Sequence, residues 1–72
     1  MSKTKEILNR MSEYYPYAAA RIETMKSEYK RTPDYKASPA IRKEMLTYLL
    51  ALYEVGIISV IEKRLLFSYM TL

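Results

Sequence analysis

Eight carboxylates, twelve lysines or arginines and eight tyrosines are the side chains of this 72-residue sequence that could hold charge or pass a proton; there is no histidine and no cysteine. The commonest metal ligands, the commonest general base and every thiol nucleophile are therefore missing. No disulfide can form, and a single glycine rules out a glycine-rich phosphate loop. The carboxylates do not pair. Glu23 and Glu28 are five residues apart and share a helical face poorly. Glu44 and Glu54 would stand about 15 Å apart at 1.5 Å rise per residue, too far for joint acid–base work. The expectation is a protein that is not an enzyme, with no cofactor, no metal and no small-molecule substrate.

Tyrosine and base remain. Tyr14, Tyr15, Tyr17, Tyr29 and Tyr35 lie in a basic stretch: residues 1–44 carry ten Lys/Arg against six Asp/Glu, and residues 45–72 are balanced. A tyrosine ring buries area at low entropic cost while its hydroxyl seeks a polar mate. Tyr15, Tyr17, Arg21, Tyr35 and Lys36 are the candidate patch for another protein. The alternative is nucleic acid, with Arg21, Lys26, Lys30, Arg31, Arg42 and Lys43 reaching phosphates and nearby rings stacking on bases. The same rings could equally staple the first two helices over a thin core.

The elements that would carry these residues are helices. Ile7, Leu8, Met11 and Tyr15 follow a 3.6-residue period, which predicts a helix over about 4–14, capped by Thr4. Pro16 breaks it and opens a second helix running to about Lys30, with Ala18, Ile22, Met25 and Tyr29 as its apolar stripe. Residues 31–38 form a linker with turn chemistry at Pro33-Asp34. Ser38-Pro39 reads as a cap and first turn for a third helix over about 39–55. From Met45 to Tyr53 only Thr47 is polar, and a helix apolar all round is central or lies in an interface. Gly56 supplies a left-handed stop. Ser59-Val60-Ile61-Glu62 is a capping box opening a fourth helix, with Ile58, Ile61, Leu65 and Leu72 as one stripe and Leu66, Phe67 and Met70 widening it. The last two helices form a hairpin with a connection short enough to force antiparallel packing. Its second helix offers only Lys63, Arg64 and Ser68 as polar reach, a poor match to a groove-reading helix, which needs Arg, Asn or Gln at base edges.

Nineteen of the 28 residues from Met45 to Leu72 are apolar, more than one small bundle hides on a face covered from one side. A contiguous apolar patch marks an interaction surface, and a symmetric dimer buries it twice. Leu49, Leu52, Tyr53 and Phe67 are the expected dimer contacts.

The run Leu52-Tyr53-Glu54-Val55-Gly56-Ile57-Ile58-Ser59-Val60-Ile61-Glu62-Lys63 resembles the short helical hairpins of the SHOCT type, in which a helix ends at glycine, two aliphatics follow and a capping box starts the next helix. Val60-Ile61 departs from the acidic start usual there. That resemblance implies a hairpin used for association. Tyr15-Pro16-Tyr17 followed by Arg21-Ile22-Glu23 resembles the N-terminal helix of small phage transcription regulators, which implies a phage or mobile-element origin.

The reading is thus one all-α domain over residues 1–72: a small bundle of three to four short helices with a C-terminal αα-hairpin. Its expected function is that of a regulatory, non-enzymatic protein–protein interaction protein, a homodimer that binds and modulates, or inhibits, host or phage nucleic-acid machinery. The alternative is a basic helical regulator contacting DNA phosphates. The charged start lacks an apolar signal segment, and no run reaches the roughly 20 apolar residues of a membrane span, so a cytoplasmic protein is expected.

Overall fold

The computed structural model describes residues 2–32 and 38–72, which form four helices and no strand: α1 Lys3–Tyr14, α2 Pro16–Arg31, α3 Ser38–Glu54 and α4 Val60–Met70. The fold is all-α, as its periodicities dictate. Met1 and the Pro33-Asp34 turn expected in the linker lie outside the described residues.

Local chemistry sets each boundary. The cap of α1 is Ser2, whose hydroxyl accepts from the N–H of Lys5 at 3.1 Å, and not Thr4, which already lies within the helix. Tyr15 is the single residue between α1 and α2. Its φ of −139° and ψ of 62° leave the helical region because Pro16 crowds the residue before it. Pro16 then takes the first helical position of α2, where its missing N–H costs nothing. The described extent of α3 opens at Ser38; the Ser38 side chain, and with it the expected cap, lies outside the described residues.

The turn from α3 to α4 is fully specified. Gly56 has φ +84°, a conformation open to glycine at no steric cost. The N–H of Gly56 donates to the carbonyl of Tyr53 at 3.0 Å and that of Ile57 to the carbonyl of Leu52 at 2.9 Å, a Schellman closure that satisfies the last carbonyls of α3. At the start of α4 the Ser59 hydroxyl accepts from the N–H of Glu62 at 3.1 Å, and the Glu62 carboxylate accepts from the N–H of Ser59 at 2.8 Å.

In cross-section the bundle is a diamond. α2 and α4 pack against each other and against both remaining helices, while α1 and α3 sit at opposite corners and their backbones do not approach one another. The core is wholly apolar: Ile7, Met11, Ala18, Ala19, Ile22, Met25, Met45, Leu49, Leu52, Ile58, Leu66 and Met70. Every methionine among the described residues is enclosed. The unbranched thioether fills the irregular gap that four short helices leave.

Two expectations are corrected here. Leu49 and Leu52, expected at a dimer interface, are 0 % and 6 % exposed and belong to the core. They sit on the face of α3 turned to α2 and α4, so they hold the protomer together. The stripe of α4 runs through Ile58, Leu66 and Met70; Ile61 and Leu72, expected on it, are exposed. α4 has three neighbours, which rotates its buried face away from the direction that a lone hairpin partner would set.

Candidate functional site

α3 carries a row of uncovered apolar side chains. Leu46, Leu50 and Tyr53 are 45 %, 45 % and 43 % exposed. At spacings of four and three they share one face of a 3.6-residue helix. That face is the flank of α3 toward α4, since the guanidinium of Arg42, one turn before Leu46, lies 6.0 Å from the centroid of the Phe67 ring on α4. Phe67 is half-buried against the core. Val60, at the start of α4, is exposed. Tyr53 and Phe67, both expected at an interface, thus reach the surface on the hairpin, whereas Leu49 and Leu52 do not.

The opposite flank of α3 faces α2. There Arg21, Ala40, Lys43, Glu44, Thr47, Tyr48 and Ala51 line an open groove of about 550 Å³. Arg21 pairs with Glu44 at 3.3 Å, and its guanidinium lies 5.9 Å from the Tyr48 ring centroid. Both partners of that ion pair are exposed, so its contribution is small. Burial pushes the Tyr48 hydroxyl above its ordinary range, with Tyr17 adding to the shift and Arg21 opposing it. Tyr15 and Tyr17 are exposed at the start of α2. The structure therefore brings Tyr17 and Arg21 to one edge of the groove. Tyr35 and Lys36, proposed with them, lie outside the described residues.

The six bases of the phosphate-contacting alternative do not form one surface. Arg21 and Lys26 are five residues apart on α2, about 140° around the axis. Arg21 turns to α3, whereas Lys26 places its ammonium 3.7 Å from the Tyr69 ring centroid on α4. Arg42 covers Phe67. Lys30 and Arg31 lie exposed at the end of α2 and Lys43 at the rim of the α2–α3 groove. Arg21, Lys26 and Arg42 thus lie over rings of their own molecule on different flanks.

Two polar clasps tie α4 to its neighbours. Arg10 of α1 donates to both carboxylate oxygens of Glu62, at 2.7 and 3.1 Å, and to the carbonyl of Ile57 at 3.4 Å. These bonds, with those from Ser59, hold the Glu62 carboxyl at about 2 against the desolvation that would raise it. The Tyr69 hydroxyl donates to Glu23 of α2 at 2.6 Å, and that bond, with burial, pushes its pKa up to about 12. Both carboxylates serve as structural acceptors. Among the described residues no three His, Cys, Asp or Glu side chains gather where a metal could bind, and no helix is long and apolar enough to cross a membrane.

Leu46 and Leu50 were not singled out in the sequence. A signal for them was present: Arg42, Leu46, Leu50 and Glu54 form an i, i+4 row with charge at each end. The dense apolar run around it masked that row. No protein-family model, no curated protein and no solved structure matches this chain.

Proposed function

We propose that this chain is a non-enzymatic interaction protein of the regulatory kind, which works as a homodimer and docks in that form on a second protein. The observation that carries the reading is the uncovered row of Leu46, Leu50 and Tyr53 on a helix that packs against α2 and α4 but not α1. Fully burying a leucine gains roughly 1.5–3 kcal/mol over leaving it in water. A row of such groups, unlike isolated exposed leucines, is what interfaces are made of. A two-fold assembly covers the row on both copies at once. Tyr15, Tyr17 and Arg21 then stay uncovered across the molecule, where a component of nucleic-acid machinery would dock if the resemblance of the Tyr15-Pro16-Tyr17 segment to phage regulators extends to function. The scatter of Arg21, Lys26 and Arg42 over different flanks argues against a phosphate-tracking surface.

Light scattering across a wide concentration range tests the reading. The mass rises from that of one 8.5 kDa chain to that of two. A single-chain mass at every concentration overturns it. In a gel shift with mixed DNA at low salt no retardation is expected; retardation that salt abolishes would support the phosphate-contacting alternative instead.

A further inference from the structure

The exposed row on α3 has an internal symmetry that specifies how two copies would meet. Arg42, Leu46, Leu50 and Glu54 follow one another at intervals of four, so they form one of the ridges along which helices pack. All four are exposed. Reversed, the row places an acid where a base stood and a leucine where a leucine stood. Tyr53 is also exposed on this side, whereas Lys43 belongs to the rim of the α2–α3 groove; the midpoint of the row is level with Tyr48. Charge and shape on this face are therefore self-complementary under a two-fold rotation.

We propose that two copies of the chain pair α3 against α3 in antiparallel about a two-fold axis level with Tyr48, so that Arg42 meets the partner's Glu54 and Leu46 meets the partner's Leu50. This rests on the homodimer reading above and adds its register. A parallel arrangement would oppose Arg42 to its own copy and Glu54 to its own copy, and like charges across an interface select against that register. The antiparallel one forms two ion pairs at the ends of a four-leucine centre. The α2–α3 groove is left on the outer side of each copy.

The absence of cysteine from the chain makes introduced thiols unambiguous reporters. Two chains, one with Arg42→Cys and the other with Glu54→Cys, each keep one of the two charges. Mixed under oxidising conditions, they are expected to give a disulfide-linked dimer, because the two positions lie opposite. Alone, the Arg42→Cys chain is expected to stay unlinked, since its two thiols would stand about 18 Å apart along the axis at 1.5 Å per residue. As a second measure, Arg42→Glu and Glu54→Arg singly weaken association by about tenfold, and a mixture of the two, or the double variant, recovers it. A wild type that dimerises while the mixture fails to cross-link, or while the Arg42→Cys chain links to itself, overturns the register and leaves the homodimer standing. A wild type that stays monomeric overturns both.

Discussion

Arg10 and Glu62, 52 positions apart in the chain, meet through a two-pronged ion pair with contacts of 2.7 and 3.1 Å. The same carboxylate caps α4 by accepting from the N–H of Ser59. One side chain thus both starts a helix and fastens that helix to α1. Geometry of this kind is worth more than an ordinary surface pair, because both oxygens are matched and the fork is planar.

The acid limb of stability follows from Glu62. Its carboxyl ionises at about 2 in the folded chain against an ordinary 4.5, held down first by Arg10. A group with a depressed folded pKa contributes stability that is present above its unfolded value and lost as pH falls toward its folded value. Thermal melts followed by circular dichroism are therefore expected to weaken between about pH 4.5 and about pH 2. Glu62→Gln is less stable at neutral pH and loses less across that window. Ser59→Ala removes only the hydroxyl acceptor and costs about 1 kcal/mol. An equal acid loss in wild type and Glu62→Gln would assign the effect to other carboxylates.

Tyr69 governs the alkaline side. Its hydroxyl donates to Glu23 and ionises at about 12, above the ordinary 10. The folded state keeps this proton longer than the unfolded state, so the contribution is complete below pH 10 and fades as pH rises through 12. Tyr69→Phe leaves the ring beneath Lys26 but deletes the bond, at a cost of about 1.5 kcal/mol. Tyrosinate absorbance should lose its latest-titrating component in that variant. A titration curve unchanged in shape would show that the hydroxyl is not held by Glu23.

Leu49 and Leu50 are sequence neighbours with opposite duties, 0 % and 45 % exposed. Leu49→Ala is expected to lower stability by about 2–5 kcal/mol through the cavity it leaves. Leu50→Lys should leave the melting midpoint of dilute protein within the small range of surface substitutions, about 0.5 kcal/mol either way, and abolish association at high concentration. Sedimentation and thermal melts on the same two variants separate the roles. Were Leu50→Lys to associate as the wild type does, the α3 row would not be the contact surface.

What could be foreseen depended on how local its cause is. Pro16, Gly56 and the Ser59–Glu62 box act within one turn of chain, so the break, the stop and the start they dictate were legible. The stripe of α2 was equally legible, because Ala18, Ile22 and Met25 alternate with charged residues. α3 and α4 were not, since apolar residues lie on every side of both and only the count and direction of neighbours decides which are enclosed. That is why Leu49 and Leu52 pass from interface to core and Ile61 from core to surface. The Arg10–Glu62 and Glu23–Tyr69 clasps join residues far apart in sequence and leave no periodic trace.

Among the described residues no polar or charged group is buried in the interior, and thioethers make up much of its centre. Such a lining slides and repacks at little cost, so it does not by itself dictate which turn of one helix sits beside which turn of the next. That alignment is imposed from the periphery, by the guanidinium on Glu62 and the phenol on Glu23. Severing both at once should leave a condensed, still coiled chain whose tyrosines have lost their asymmetric near-ultraviolet signal, a molten globule made without acid or denaturant.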